Sequence, residues 1–511
     1  MKNRIVFLAL VCILSLSLIG QTVKSQALGT IYIRSDGAVE GTDKVQRNEN
    51  IYNFIDDVYA LIVVERDNII IEGAGYSLQP GETGDKAVGV DLRDRNNVSV
   101  RNLEIAGFVG RCGILLLNSN YCNISRNIFT KNNIGVEMTL RSSRNGIVEN
   151  RFENNLLGLD LSSIDPGSDN IISDNEITDN TNVGMVIKDF VNSRVLNNNF
   201  LRNEYALFVG AGEGSKFRNN TLNDNTYGFG AFNVKGVDVD TSNTVNGKAI
   251  YYWVNQHDKT IPADAGYVAL LSCTGITVKN LNLAGNVEAI FLGSTTNSTI
   301  INNKLSNNLF GVRLDASFNN TVSLNVITSN QNGVELKAGS SNNTIQGNDI
   351  TANDNGVFID DTAGNTITKN NIANSENGVY TQYCGINTIH HNNFVNNTKN
   401  WNDAALAPFM FLPLVSVSVW DNGEEGNFWS DYNGTDLNND GISDTPYQIG
   451  TNNTDRYPLT EPVVIPEVND GTPETDQLPT EWILPVAIVI AVLTATILLV
   501  YFNKRKHQTR H

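Results

Sequence analysis

The chain has 511 residues and a formal charge of −18. With the six cations of its two ends set aside (Lys2, Arg4, Lys504, Arg505, Lys506 and Arg510), the remainder carries −24. A body this acidic repels phosphate backbones, which excludes nucleic acid as a partner. Five cysteines with no CxxC pair give no basis for a thiolate metal site.

The first predicted element is a leader. Lys2 and Arg4 precede fifteen mostly apolar residues, Ile5 to Ile19, and then small and polar ones. This is the pattern of a secretory signal peptide over residues 1–26, with an uncleaved anchor as the alternative. In an exported chain Cys112 and Cys122 are near enough in sequence to bridge. Cys273 and Cys384 read equally well as buried thiols.

Residues 27–400 repeat. Ile124, Ile147, Ile172, Val195, Phe217, Ile300, Val322, Ile345, Ile367 and Ile389 follow one another at 22–25 residues, except across one break. Three residues after each stands Asn, from Asn127 to Asn392; five after, an apolar residue; eight after, a second Asn, with Ser375 the one exception. A fixed period with apolar steps of two and five indicates short strands and tight turns wound into a parallel β-helix. Two asparagines in fixed phase predict ladders of amides bonded along the axis. The corners call for Asn because it tolerates left-handed backbone. Gly135, Gly158, Gly311, Gly333, Gly356 and Gly378 are expected to close a corner with positive φ. From Phe217 to Val278 lie 61 residues, read as two coils plus a loop protruding near 255–265. The whole predicts about 13–15 coils.

Residues 401–460 read as a cap. Trp420, Phe428, Trp429, Tyr432 and Tyr447 form its aromatic core, beside a loop of form D-x-N-x-D-G-x-x-D. Asp436, Asn438, Asp440 and Asp444 with the carbonyl of Ile442 would ligate Ca2+. Tyr447 stands where a bidentate Glu is usual, and an Asx-rich turn without metal is the alternative. Residues 461–481, acidic and Pro-rich, read as an extended stalk. Residues 482–502 carry no charge and are long enough for a transmembrane helix. The basic tail, 503–511, then places the C-terminus in the cytoplasm. The expected setting is a single-pass cell-membrane protein with an extracellular rod.

Along the rod, the residue after each Gly-apolar pair points outward. That column contains Glu137 and Asp160 one coil apart, Arg313 and Glu335 one coil apart, and the rings Phe208, Phe291, Phe358 and Tyr380. The charged pairs are candidates for acid–base chemistry or plain ladder neighbours. The rings suit a sugar or a protein if exposed. Sequons at Asn97, Asn297, Asn319 and Asn342 fall in turns of variable length and are the expected glycosylation sites; those at Asn219 and Asn396 lie beside the ladders and are expected bare.

Gly426-Asn427-Phe428-Trp429-Ser430-Asp431-Tyr432, the Asp-rich loop and Asp455-Arg456-Tyr457-Pro458-Leu459 resemble the closing segment of NosD-like β-helix proteins. Gly29 to Arg34, Ile69 to Leu78 and Ala249 to Val254 extend the resemblance over about 30–460, nearest to archaeal surface members with a leader and a C-terminal anchor. The resemblance implies a right-handed, all-β parallel β-helix related to carbohydrate-binding and sugar-hydrolase domains, and a family name taken from copper-site maturation. Copper is not expected here. Outside the ends stand His257, His390, His391, Met138, Met185 and Met410, scattered over different coils, and neighbouring His390 and His391 should face opposite sides of a strand. The reading is a non-enzymatic glycan- or protein-binding scaffold whose partners are the membrane, polysaccharide or surface-layer proteins. The alternatives are a carbohydrate-active enzyme on the outer face and, after it, a copper-maturation accessory.

Overall fold

The computed structural model describes residues 29–81, 87–232, 236–404, 416–450 and 452–465. The segments expected to be a leader, most of the stalk, a membrane span and the tail lie outside them. Among the described residues no helix is long and apolar enough to cross a membrane.

The described chain is an all-β, right-handed parallel solenoid of about 16 turns. Each repeat contributes three strands. In one coil these are Thr344–Gln346, Asp349–Thr351 and Asn355–Asp360, each paired in parallel with its counterpart in the coils before and after. Anchors stack on anchors, as in Val322↔Ile345↔Ile367. Ile345, Ile350, Val357 and Ile359 are fully buried.

Both asparagine ladders are present. Asn348 donates its side-chain amide to Asn370 Oδ1 at 2.9 Å and accepts from the backbone and side-chain amides of Asn325 at 3.0 and 2.9 Å. Asn132, Asn155, Asn180 and Asn203 repeat the arrangement at the second corner. A third ladder, unforeseen from the sequence, runs two residues before the anchors: Asn320, Asn343, Asn365 and Asn387. Its signal, a small polar residue at that offset, is visible in the sequence.

Two expectations about the corners are corrected. The ladder asparagines do not carry the left-handed backbone; the residue before each does, as with Glu149 (φ 57°), Asp174 (φ 59°) and Leu324 (φ 53°). The repeating glycines have no positive φ. A Cβ on Gly333 would lie 2.5 Å from the carbonyl oxygen of Gly356 and 2.9 Å from Ile350 Cγ2. Glycine stands there because adjacent coils approach too closely for any side chain.

The predicted protruding loop is also corrected. Val239 pairs beside Phe217, and Thr260 with Thr277, which brings buried Ile261 next to Val278. The 61 residues are therefore three coils, the last shortened, and residues 255–264 run within the solenoid. This raises the coil count above the expected range.

The break has its own architecture. Asn246 and Gly247, both at positive φ, reverse the chain in a hairpin between Thr244–Val245 and Lys248–Ala249. An Asn-Gly pair is a strong hairpin signal, and it falls where the repeat period breaks. The strand Ala265–Leu271 beyond it is buried along its whole length. Tyr267, Ala269 and Leu271 belong to the core of the N-terminal coils, while Val268 and Leu270 belong to that of the C-terminal coils. The solenoid thus has two cores meeting across one strand. At the far end Trp429 stacks on Phe394 at 4.4 Å and packs against Trp420 and Tyr447. Asn427 prolongs the first ladder by accepting from Asn392, so the cap is continuous with the rod.

Candidate functional site

The outward columns form as predicted. Glu137 pairs beside Asp160, then Val186, Phe208 and Gly230; Phe291 pairs beside Arg313, Glu335, Phe358 and Tyr380. Their environments differ.

Glu137 receives a two-pronged ion pair from Arg111, with both N–O distances 2.8 Å. Asp160 has no cation beside it among the described residues and accepts from Ser162 Oγ at 2.6 Å. Burial, with the neighbouring Glu137 charge adding to it, lifts the Asp160 carboxyl above its ordinary range. Two adjacent carboxyls thus have different surroundings, one ion-paired with an arginine and one pushed toward its acid form by burial.

Arg313 and Glu335 are not on an open face. They are 8% and 2% exposed, and Glu288, which the sequence reading missed, is 1% exposed. Arg313 lies 3.5 Å from Glu288 and 3.4 Å from Glu335. Glu288 accepts from the amide of Ala231 at 3.2 Å and from the Tyr267 hydroxyl at 3.3 Å. Burial raises Glu288 to about 7 against the opposing pull of Arg313. The cluster sits where the two cores meet, closed to a polymer, and its pairing holds the joint. This removes Arg313 and Glu335 as catalytic candidates.

The four rings do not form an exposed platform. Phe291 is 3% exposed and belongs to the N-terminal core. Phe208, Phe358 and Tyr380 are half-buried, Phe208 packing on Tyr205 and Phe358 on Tyr380, both at 5.2 Å. A shallow groove beside the joint is lined among others by Asp179, Arg202, Glu204, Asp224, Thr226 and Tyr227. Arg202 is committed to Asp179 by bonds of 2.7 and 2.6 Å. Tyr227 stacks on Tyr205 at 4.9 Å.

In the cap loop, Asp436 Oδ1 and Asn438 Oδ1 both accept from the amide of Asp440, and Asp444 accepts from Leu437. The amide of Ile442 donates to Asp440. The described residues contain no group of three or more His, Cys, Asp or Glu arranged to hold a metal. All four described cysteines are free and buried, which corrects the suggested Cys112–Cys122 bridge.

Asn97, Asn297, Asn319 and Asn342 are exposed at positive φ, and so are Asn219 and Asn396. Exposure therefore does not separate the two groups of sequons. His390 and His391 do not face opposite sides: His391 takes a left-handed backbone (φ 55°), and the two Nδ1 atoms lie 2.6 Å apart.

Inward ladders, outward columns and three-stranded coils define a right-handed parallel β-helix protein. Residues 83–250 match the family described as a right handed beta helix region, and residues 232–434 match that of the periplasmic copper-binding protein NosD. The chain belongs to the NosD-like β-helix family. No curated protein sequence matches it. Among solved structures, the A-module of the Azotobacter vinelandii mannuronan C-5 epimerase AlgE4 aligns over 68% of this chain and 90% of its own, at 14% identity and a TM-score of 0.26. The periplasmic alginate epimerase AlgG aligns over 76% and 82%, at 13% and 0.24. The surface adhesin PfbA of Streptococcus pneumoniae aligns over 65% and 71%, at 11% and 0.27.

The family description implies copper, so the donors can be compared with that ion. Met138 and Met185 are sealed in the core, and Met410 lies outside the described residues. His257 is exposed on another coil. The converging Nδ1 atoms of His390 and His391 are the one donor set described above that suits an imidazole-preferring ion.

Proposed function

We propose that this chain is a membrane-anchored surface protein whose β-helix binds an extended neutral glycan in the groove beside the joint, without cleaving it. The observation that carries the reading is the lining of that groove. The Tyr227 ring offers an apolar face for a sugar ring. Glu204 and Asp224 have no ion-pair partner among the described residues and can accept hydroxyl hydrogen bonds. With Arg202 committed to Asp179, the groove carries surplus negative charge, which disfavours polyuronates. The anchor rests on the apolar segment 482–502 and would hold the protein in washed membranes until detergent is added.

Binding of neutral and uronate polysaccharides by the full chain in detergent tests the reading. Neutral chains should bind, polyuronates should not, and Tyr227→Ala should weaken binding roughly 10-fold, the loss of one stacking contact. Equal binding by the variant overturns the groove. One observation favours a second reading, a carbohydrate-active enzyme: the divided environments of Glu137 and Asp160, the pattern of an acid paired with a carboxylate. Release of reducing ends, abolished by both Glu137→Gln and Asp160→Asn, would replace the binding reading with that one.

A further inference from the structure

We propose that Asn297, Asn319 and Asn342 form a column of N-glycans, and that the sugars on Asn297 and Asn319 cover the exposed ring of Phe318. The inference rests on the surface placement proposed above, but not on the groove, which lies among the N-terminal coils.

The three asparagines hold one position, three residues before the anchors Ile300, Val322 and Ile345. All are exposed, at φ of 52°, 58° and 57°. Their backbone amides donate in turn to the carbonyls of Phe318, Ser341 and Gly364 in the next coil, each at 3.2 Å. The side chains therefore leave the rod from successive coils, roughly 4.8 Å apart. The middle residues of the sequons, Ser298, Asn320 and Asn343, are buried members of the third ladder. Thr299, Thr321 and Thr344 stand half-buried in one outward column.

The Nδ2 atoms of Asn319 and Asn342 have no hydrogen-bond partner among the described residues, and that of Asn297 has only Thr274 Oγ1 at 3.5 Å. Two other sequons differ. Asn97 Nδ2 donates to Asn68 at 2.9 Å and Asn219 Nδ2 to Asn197 at 3.2 Å, and a sugar there would compete with that bond.

Attachment joins Nδ2 to the anomeric carbon of the first sugar. The donor is an oligosaccharide linked to a polyprenyl phosphate or pyrophosphate. Its anomeric carbon–oxygen bond breaks, the lipid phosphate leaves with that electron pair, and Nδ2 gives one proton to a base of the transferase. In the folded coil the amides of Thr299 and Thr321 are tied to Ile276 and Ser298 at 2.8 and 2.9 Å. Transfer therefore precedes closure of the coil, and the exposed corner then leaves room for the product.

The backbone accounts for much of this pattern, but not for Phe318. Positive φ favours Asn or Gly at the corner, and Gly275 and Gly364 hold the same position. The strand favours Thr, and the column continues through Thr277, Thr366 and Thr388 outside any sequon. Phe318 is 38% exposed and belongs to neither core. It sits in register between Thr296 and Ser341, where its neighbours are small and polar. It directly precedes Asn319, and its carbonyl accepts from Asn297, so two attachment points flank it. A sugar ring has an apolar face that packs on an aromatic one. Glycans on these two asparagines would take the ring out of water.

The test uses full-length protein from the organism that makes it, recovered with detergent from washed membranes. Glycopeptide mass spectrometry should find sugar on Asn297, Asn319 and Asn342. Thr299→Val and Thr321→Val should remove it from Asn297 and Asn319, because the sequon needs the hydroxyl. Hydroxyl-radical footprinting then reads the ring. Phe318 should be labelled severalfold more in Asn297→Gln/Asn319→Gln than in the unsubstituted protein, with Phe358 little changed. Occupancy in the unsubstituted protein decides the first half even if a variant fails to fold. Bare asparagines on membrane-recovered protein overturn the proposal and leave the anchor standing; bare asparagines on protein found in the soluble cell extract overturn both. Sugar at all three sites with equal labelling of Phe318 overturns the covering of the ring.

Discussion

At the scale of single residues, glycine and asparagine do different work from what their usual roles suggest. Gly333 is required by a backbone approach, so Gly333→Ala should destabilise the protein by about 1–3 kcal/mol through overpacking. Gly339 has positive φ with nothing within 4 Å of a built Cβ, and its alanine variant should cost only about 1 kcal/mol. Asn348 is the more severe position. Its amide donates to Val322 O as well as Asn370, and its oxygen accepts twice from Asn325. Asn348→Leu should cost about 1–3 kcal/mol for each buried group left unpaired, whereas Asn433→Leu, on the exposed surface, should shift the melting temperature little. Equal melting curves for these two variants would mean that the ladder does not hold the coils. The ladders were legible because Asn recurs in phase with apolar anchors. The glycine's reason was not, since a close approach and a positive φ leave the same letter in the sequence.

Among the elements, coils were legible and their interruptions were not. Period counting treats surplus residues as an insertion. It cannot see a shortened coil, and it passed over the Asn246-Gly247 reversal that lets one strand serve two cores. The outward columns were correctly aligned, yet their exposure depended on what packs above them. Glu137 and Asp160 stay part-buried, while Phe291, Arg313 and Glu335 are buried. The cap loop was legible as a loop, and calcium binding there is a proposal that melting experiments can test. Asp436 Oδ1 and Asn438 Oδ1 accept from one amide in the metal-free loop, so a cation would have to turn them from that amide, and it would relieve the repulsion of three aspartates within nine residues. Millimolar calcium is expected to raise the melting temperature by mass action on the folded state, and Asp440→Ala to remove that response. A melting curve indifferent to both calcium and chelator would leave the loop as a set of Asx turns.

For the whole molecule, the joint between the two cores is the feature that sets its behaviour with pH. Glu288 reaches across it to the amide of Ala231 while facing Tyr267, Arg313 and, beyond Arg313, Glu335. Its carboxyl is raised from an unfolded value near 4.5 to about 7. Between those values the folded chain binds more protons than the unfolded one, so stability falls as pH rises through that window and levels off above it. Glu335 and Asp160 are raised as well, and Asp455 to about 6, so the protein as a whole should melt at a higher temperature at pH 5 than at pH 8. Glu288→Gln isolates the joint. The amide keeps the shape and can still accept from Ala231, but it does not ionise. The variant should lose part of the drop between pH 5 and pH 8, a contribution on the order of a few kcal/mol for a shift of this size. It also leaves Arg313 with one carboxylate fewer, which lowers stability at both pH values without adding slope. Melting temperatures measured across pH 4–9 separate the two effects: an unchanged slope in Glu288→Gln would show that the joint carboxyl is ionised throughout the range, held so by Arg313 against the cost of burial.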